Sequence, residues 1–213
     1  MILIPIKNTA YAKQRLAGIL DQPARTRLAQ AMLYDVLTAI HEWQGRPPVA
    51  IVSSDPYATE LARRYGFEVI PDPDNPGETG AIEMATLVCV KRGAECTLVI
   101  PADIPLIQSW ELEEILKQAP TEGSVLVPAG DGRGTNAAFR RPANLFPLRF
   151  GNDSFKPHHA AAQATGKPCV VIELPGIAVD VDNPDDLRQL ISLPGEATSQ
   201  QLARTFLQEW ERR

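Results

Sequence analysis

The stretch VAIVSSDPYATELARRYGFEVI, residues 49–70, decides the fold because it reads as one complete strand–helix–strand unit. Residues 49–52 and 67–70 are mostly apolar runs of strand length. Between them, Asp55 and the proline after it are typical of a helix start, where a carboxylate caps free N–H groups and proline fits the first turn. Gly66 suits the end of that helix. Two strands joined by a helix predict a right-handed crossover between parallel neighbours.

The same alternation extends in both directions from this unit. Apolar runs predict further strands at residues 2–6, 97–100, 125–127, 135–139 and 169–172. Helices are predicted at residues 23–43, 78–92, 109–119 and 154–165, followed by two C-terminal helical segments. We therefore expect a single α/β domain over residues 1–213, with a mostly parallel sheet flanked by helices. In such sheets ligands bind beyond the carboxyl ends of the strands, so the residues after each apolar run are the candidates for chemistry.

Composition narrows the classes of partner. The net charge of −5 argues against a nucleic-acid binder, which would show a basic face or stripe. No run approaches the roughly 18 apolar residues needed to cross a bilayer, and the N-terminus lacks a signal-peptide pattern, so we expect a cytoplasmic protein that does not bind membranes. The three cysteines are predicted to be reduced thiols.

The loop after the first strand is cationic. The first twenty residues carry Lys7, Lys13 and Arg15 but no acid, although the chain as a whole is acidic. Such a loop at the carboxyl end of a strand suits a polyphosphate, to which lysine offers a point charge and arginine a bidentate fork. The alternative is a solvated loop whose charges have no function.

Three aspartates follow predicted strands or lie near the last helices. Asp103 occupies a proline-flanked turn, either as a structural residue or as a ligand of Mg²⁺. Asp180 and Asp182 fall on the same side of an extended segment, and Asn183 already supplies the cap of the helix that follows. Because two like charges placed together are costly unless a cation or water separates them, we predict one or two Mg²⁺ ions here, with Mn²⁺ as an alternative.

Two further segments carry polar groups suited to a small anion. Residues 131–136 combine glycines with the hydroxyl of Thr135 and the amide of Asn136, although a simple hairpin turn is the alternative. Residues 149–155 include Gly151 and Ser154 at a helix start, where N–H groups can hold a phosphate or a carboxylate. The three histidines lack metal-site spacing and are expected on helix surfaces; they are His41, His158 and His159.

Six segments together resemble the 2-phospho-L-lactate guanylyltransferase family, which serves deazaflavin coenzyme biosynthesis. They are IPIKNTAYAKQRL (4–16), IVSSDP (51–56), LVIPADIPLI (98–107), GRGTNAAF (132–139), RFGNDSF (149–155) and AVDVDNPDDL (178–187). The resemblance implies a nucleotide-diphospho-sugar transferase-like (Rossmann-like) fold, transfer of GMP from GTP with Mg²⁺, and frequent homodimers. It also implies a small phosphorylated acid as acceptor: 2-phospholactate, phosphoenolpyruvate or 3-phosphoglycerate.

The same resemblance implies a role for each candidate residue. The metal would be held by Asp103, Asp180 and Asp182. The catalytic and triphosphate-binding cations would be Lys7, Lys13 and Arg15, with further nucleotide contacts from Ser53, Thr79 and Asp103. The acceptor would be bound by Thr135, Asn136, Gly151 and Ser154.

One departure from the family pattern keeps alternatives open. Where the family usually reads Gly-Leu-Asn before a helix, this chain reads Gly-Glu-Thr-Gly at residues 77–80. Thr79 offers only a hydroxyl, so a nucleotide other than GTP is an alternative. Transferases acting on a molybdenum cofactor or a sugar phosphate generally carry a glycine-rich loop after the first strand, but here no glycine precedes Gly18. A catalytically silent nucleotide-binding domain is the remaining alternative, against which the three aspartates argue.

Overall fold

The computed structural model describes residues 1–73, 77–151 and 153–212. The strands there are Ile2–Pro5 (β1), Val49–Val52 (β2), Glu68–Ile70 (β3), Thr97–Val99 (β4), Gly123–Pro128 (β5), Thr135–Arg141 (β6) and Cys169–Val171 (β7). The α-helices are Gln22–Glu42 (α1), Pro56–Arg64 (α2), Glu78–Lys91 (α3), Ser109–Gln118 (α4), Phe155–Ala164 (α5), Pro184–Ser192 (α6) and Thr198–Glu211 (α7). The predicted order of elements is confirmed, with boundaries that differ by a few residues.

The strands form a seven-stranded sheet in the order β3-β2-β1-β4-β6-β5-β7. Strand β1 is parallel to β2 and β4, and the pairs β2–β3 and β5–β7 are also parallel. Strand β6 is antiparallel to both of its neighbours. A short turn rather than a helix joins β5 to β6, so the chain can only return antiparallel. The mostly parallel sheet is confirmed, and among the strands in the described part of the chain β6 is the reversed one.

The reversed strand matters for the site because of the edge at which it begins. The carboxyl ends of β1 and β4 lie side by side, since these strands are parallel neighbours. Strand β6 runs the opposite way beside β4, with Val99 opposite Ala138. The start of β6, at Thr135 and Asn136, therefore reaches the same edge of the sheet as the segments that follow β1 and β4.

Apolar packing covers both faces of the sheet. Along β1, Ile2 and Ile4 pack into a core with helices α1, α2 and α4, whereas Leu3 packs into a core with α3 and α5. A third cluster joins α1, α6 and α7 and includes Leu16 and Val181, both fully buried. Leu16 follows Arg15 in the chain, and Val181 lies between Asp180 and Asp182. The third cluster therefore anchors two of the segments that carry predicted site residues.

Asp55 links the second strand–helix unit to the loop after β1. Its Oδ1 accepts from the N–H of Ala58, which confirms the predicted cap of α2. Its Oδ2 accepts from both the N–H and the hydroxyl of Thr9, at 2.8 and 2.9 Å. The loop carrying the cationic residues is therefore held at one end by Asp55 and at the other by Leu16.

Among the described residues, no helix combines the length and the apolar character that crossing a membrane requires. Cys89, Cys96 and Cys169 are free thiols, as expected.

Replacing Asp55 by alanine should lower the free energy of unfolding by about 2 to 4 kcal/mol. The variant loses a helix cap and leaves the buried N–H and hydroxyl of Thr9 without an acceptor. Urea denaturation measures the loss. The control is Asp21→Ala, which removes the exposed cap of α1 with its single bond to Ala24 and should cost about 1 kcal/mol. Equal losses in the two variants would contradict the link between Asp55 and the loop.

Candidate active site

Two adjoining cavities open at the edge of the sheet where β1 and β4 end and β6 begins. The first has a volume of about 570 Å³ and is lined by the loop after β1 and the inner face of α1. The second has a volume of about 730 Å³ and is lined by the turn before β6, the start of α5 and the segment before α6. Among the described residues, five line both cavities and so form a shared wall: Arg15, Glu78, Pro101, Asp103 and Asp182.

Lys13 lines the first cavity and binds two residues of this wall. Its ammonium donates to Asp103 Oδ2 at 2.6 Å and to Asp182 Oδ1 at 2.9 Å, and its side chain is only 8% exposed. Burial disfavours the charged form, but the two carboxylates outweigh it and raise the pKa of Lys13 above its ordinary value. The backbone of Lys13 is left-handed, with φ of 55°, a conformation that non-glycine residues rarely adopt outside constrained sites.

The other two predicted cations, Lys7 and Arg15, line the same cavity as Lys13. Arg15 Nη1 is 3.4 Å from Asp182 Oδ2, so this carboxylate faces two cations. Burial opposes ionisation of Asp182, but Lys13 and Arg15 together lower its pKa. Lys7 is exposed and lines the first cavity. The structure thus brings all three predicted cations to the same site.

Asp180 has different surroundings from Asp182. Its Oδ1 accepts from Asn136 Nδ2 at 3.0 Å, and the same nitrogen donates to the carbonyl of Ile177 at 2.8 Å. Both N–H groups of the Asn136 amide are therefore engaged by the protein. Burial raises the pKa of Asp180, and the negative charges of Asp103 and Asp182 raise it further. Asn136, predicted to bind substrate, lines the second cavity and also orients Asp180.

The chemistry of the carboxylates bears on whether a divalent metal fits. No group of three or more His, Cys, Asp or Glu side chains within residues 1–73, 77–151 and 153–212 is arranged to hold a metal ion. Asp103 and Asp182 nevertheless converge on one positive charge, and Mg²⁺ is usually bound through one or two protein carboxylates together with substrate phosphates. The pair therefore fits Mg²⁺, and Asp180 lies close enough to raise the local negative charge.

A backbone hydrogen bond joins the two segments that carry these aspartates. The N–H of Val181 donates to the carbonyl of Asp103 at 3.1 Å. A second contact lies four residues before Asp180 in the chain, where the N–H of Gly176 donates to the buried carboxylate of Glu111 at 2.6 Å. A Cβ at Gly176 would lie 2.3 Å from the carbonyl oxygen of Leu106, so only glycine fits this approach. Sequence reasoning missed this contact because Gly176 lies 65 residues from Glu111 along the chain.

Glu78 is a further wall residue that sequence reasoning did not assign to the site. It stands in the first turn of α3 and lines both cavities. Burial raises its pKa to about 7, and Asp103 adds to the effect, whereas Lys7 and Lys13 oppose it. Its carboxyl group consequently titrates near neutral pH. The only signal in the sequence was its departure from the family's Gly-Leu-Asn pattern.

The second cavity presents hydroxyl groups. Ser154 Oγ accepts from the backbone N–H of Thr135 at 3.0 Å, and both side chains line the cavity. Gly151 lines it as well, with φ of +134°, a value that side chains rarely adopt. Arg133 and Asp153 form an ion pair at the rim, with Nη2 to Oδ2 at 3.2 Å. The predicted acceptor residues are thus brought together.

His158 is not the surface residue that sequence reasoning expected. It is buried, with 1% of its surface exposed, and its Nδ1 lies 2.9 Å from Thr135 Oγ1. Its Nε2 accepts from the backbone N–H of Arg149 at 2.7 Å. Burial lowers the pKa of His158 to about 4, and the positive charge of Arg140 contributes. The expectation was wrong because the partners of His158 come from other elements, which the spacing of histidines cannot show.

Ser53 and Thr79, predicted to contact the nucleotide, bind other protein groups and do not line either cavity. Ser53 is buried and its Oγ accepts from the N–H of Asp55 at 2.9 Å. Thr79 Oγ1 accepts from the N–H of Phe150 at 2.9 Å and so holds the loop that contains Gly151. Neither residue is among those that line the two cavities. Their assignment to the nucleotide remains a prediction.

Comparison with known proteins places this arrangement in a family. A family model described as "Guanylyl transferase CofC like" matches residues 1–210. The chain belongs to this guanylyl transferase family. The match covers the cationic loop, the three aspartates and the hydroxyl cavity together, and it confirms the resemblance that the six segments indicated.

Individual relatives agree with the family. A phosphoenolpyruvate guanylyltransferase of Roseiflexus castenholzii is 36% identical over 96% of this chain and 94% of its own. A 3-phospho-D-glycerate guanylyltransferase of Colwellia psychrerythraea is 32% identical over 93% of this chain and 94% of its own. A crystal structure from Desulfovibrio desulfuricans G20, provisionally named a nucleotide-diphospho-sugar transferase, superposes with a TM-score of 0.79 at 16% identity. It covers 99% of this chain and 96% of its own, and it shows the predicted fold.

Protonation of His158 should make stability depend on pH. The residue binds a proton near pH 4 when folded but near its ordinary value of 6.5 when unfolded, so the unfolded chain binds more protons between these values. Its contribution to the free energy of unfolding is complete above pH 6.5 and should fall by about 2 kcal/mol between pH 7.5 and pH 5. Urea denaturation of wild type and His158→Gln at both pH values measures this contribution, which the variant should lack.

The control for this prediction is His159→Gln, one residue along the same helix. It retains His158 and should keep the pH dependence of the wild type. An identical pH dependence in His158→Gln and wild type would contradict the buried, neutral state of His158.

Proposed function

We propose that this protein transfers GMP from GTP to a phosphorylated three-carbon acid and releases pyrophosphate, as a cytoplasmic step of deazaflavin coenzyme biosynthesis. The observation that carries the proposal is the shared wall, where one buried lysine joins two aspartates between two substrate-sized cavities. Two substrates bound on either side of this wall would meet at a point rich in both positive and negative groups. Membership of the guanylyl transferase family supports the same reaction class.

The first cavity suits the nucleotide. Lys7, Lys13 and Arg15 line it and can neutralise a triphosphate, since lysine and arginine are the usual partners of phosphate groups. On the other side, Ala29, Met32 and Leu33 of α1 form an apolar surface that suits the flat face of a base. GTP is proposed as the nucleotide on the strength of the family.

The second cavity suits the acceptor. The hydroxyls of Thr135 and Ser154 and the backbone around Gly151 offer hydrogen bonds to a phosphate or a carboxylate. The relatives described above are named for phosphoenolpyruvate and 3-phosphoglycerate, so these two acids are the first candidates. Phospholactate has the same combination of phosphate and carboxylate and is the third.

Asp103 and Asp182 are the proposed ligands of Mg²⁺, with Asp180 as a third carboxylate and Mn²⁺ as a substitute ion. Bound there, the ion would neutralise phosphate charge and orient the reacting groups. Asn136 would hold Asp180 in place through its amide, and Val181 would keep this segment against Asp103.

The reaction itself needs no nucleophilic side chain. A phosphate oxygen of the acceptor forms a bond to the α-phosphorus of GTP while the bond from that phosphorus to the α–β bridging oxygen breaks. Pyrophosphate leaves with the electron pair. In this scheme, Lys13 and Arg15 stabilise the charge that develops around the α-phosphorus, and the two cavities hold the reacting oxygen and phosphorus in line.

The proposed activity is tested by measuring pyrophosphate release with Mg²⁺. GTP, ATP, CTP and UTP are each paired with phosphoenolpyruvate, 3-phosphoglycerate and 2-phospholactate. Release is expected with GTP and one of the three acids. Release with another nucleotide would overturn the choice of base, and an absence of release in every pair would overturn the proposed function.

Substitutions of Asp103, which belongs to the shared wall, and of Lys13, which binds it, should reduce turnover far more than stability. Asp103→Asn and Lys13→Met are each expected to lower kcat by about 10²- to 10³-fold, the usual effect of removing a group that stabilises charge in the transition state. The control is Asp185→Asn, whose exposed carboxylate lies three residues after Asp182 and pairs with Arg188. This variant should keep kcat within about twofold. Near-normal turnover of either Asp103→Asn or Lys13→Met would refute the assigned roles.

A further inference from the structure

We propose that His158 is a positioning residue for the acceptor: it holds Thr135 so that the threonine hydroxyl donates its proton into the second cavity. This inference rests on the proposed function, because it assigns the second cavity to the acceptor. It adds a residue that lines neither cavity and whose role neither the sequence motifs nor the family match assigns. The ligand feature it would recognise is an anionic oxygen of a phosphate or a carboxylate.

The direction of the hydrogen bonds around His158 follows from one backbone group. The N–H of Arg149 can only donate, and it lies 2.7 Å from Nε2 of the imidazole. Nε2 must therefore carry a lone pair, and the single proton of the neutral ring must be on Nδ1. Nδ1 lies 2.9 Å from Thr135 Oγ1, so the histidine donates and the threonine accepts.

The consequence for Thr135 concerns its own proton. A hydroxyl has one proton, and with its oxygen already accepting from His158, this proton is free to point elsewhere. The neighbouring Ser154 is in the same situation, since its Oγ accepts from the N–H of Thr135. Across the described ranges of the chain, neither hydroxyl donates to another protein group. Both line the second cavity, so two donors face the space where an anionic acceptor would lie.

The surroundings keep the imidazole neutral and fixed. A doubly protonated ring would set an N–H of its own against the N–H of Arg149, and it would add a charge near the buried guanidinium of Arg140. The ring of Phe150 packs against it edge to face, with 5.0 Å between the ring centres. The N–H of Phe150 is in turn held by Thr79. Hydrogen bonds and a ring contact of the histidine therefore join Thr135 to the loop of Gly151.

The first test is the tautomer itself, which does not depend on any activity. In the full chain labelled with ¹⁵N-histidine, two-dimensional NMR spectra distinguish a protonated from an unprotonated ring nitrogen. His158 is expected to show protonated Nδ1 and unprotonated Nε2 from pH 8 down to pH 5. A proton on Nε2, or exchange between both forms, would overturn the inference whether or not the protein transfers GMP.

The second test asks whether His158 acts through Thr135. His158→Leu and Thr135→Val should each raise the KM for the acceptor by about tenfold, which corresponds to one hydrogen bond to a charged group. Changes in kcat and in the KM for GTP should stay below about threefold. The double variant should be no worse than Thr135→Val alone, because the histidine has no effect once the hydroxyl is gone. His158→Asn retains a short donor and should recover part of the acceptor affinity.

The positioning role would be overturned if the double variant raised the acceptor KM by the product of the two single effects. An unchanged acceptor KM in His158→Leu would overturn it too. An equal rise in KM for GTP and for the acceptor would also overturn it, since this pattern indicates general loosening of the structure. If wild type released no pyrophosphate, the proposed function would fail. The same cycle would then be measured as dissociation constants for 3-phosphoglycerate by calorimetry, with the same outcomes deciding the inference.

Discussion

The ion pairs of Lys13 with Asp103 and Asp182 are the interaction on which the rest of the site depends. The three residues come from the loop after β1, the turn after β4 and the segment before α6. Two carboxylates near one another repel, and a buried ammonium without partners is costly, so the three charges stabilise one another. This mutual stabilisation brings three distant segments to one point, and that point is the wall between the two cavities.

Apolar anchors and backbone hydrogen bonds keep these segments in place before any ligand binds. Leu16 and Val181 belong to one buried cluster, and the N–H of Val181 bonds directly to the carbonyl of Asp103. Asp55 holds Thr9 at the other end of the cationic loop. Groups oriented in this way need little rearrangement when charge develops on a substrate, which is the condition under which electrostatic stabilisation is most effective.

The second cavity is built on different chemistry from the first. The first cavity is lined by cations and an apolar helix face, whereas the second presents hydroxyls whose oxygens already accept hydrogen bonds from the protein. This contrast depends on the reversed direction of β6. Because β6 runs opposite to β4, its first residues reach the edge of the sheet where β4 ends. Thr135 thereby meets His158 from α5, and Asn136 meets Asp180.

The sequence by itself determined the order of strands and helices, the mostly parallel sheet and the segments that form the site. These features depend on local signals, such as the apolar runs of β1 and β2, the cap at Asp55 and the capped start of α6 at Asn183. The clustering of Lys7, Lys13 and Arg15 after the first strand was also visible, since charge along the chain is a local property.

Only the tertiary structure decided which of those residues face each other. The partners of Lys13 are 90 and 169 residues away along the chain. Those of His158, which is on helix α5, lie on strand β6 and in the loop before α5. No rule based on residue spacing could show these contacts. The same holds for Thr79, which bonds to Phe150, and for Glu78, whose carboxyl group lines both cavities. Hydrogen bonds and ion pairs act over a few ångströms, and a folded sheet rather than chain distance determines which side chains come that close.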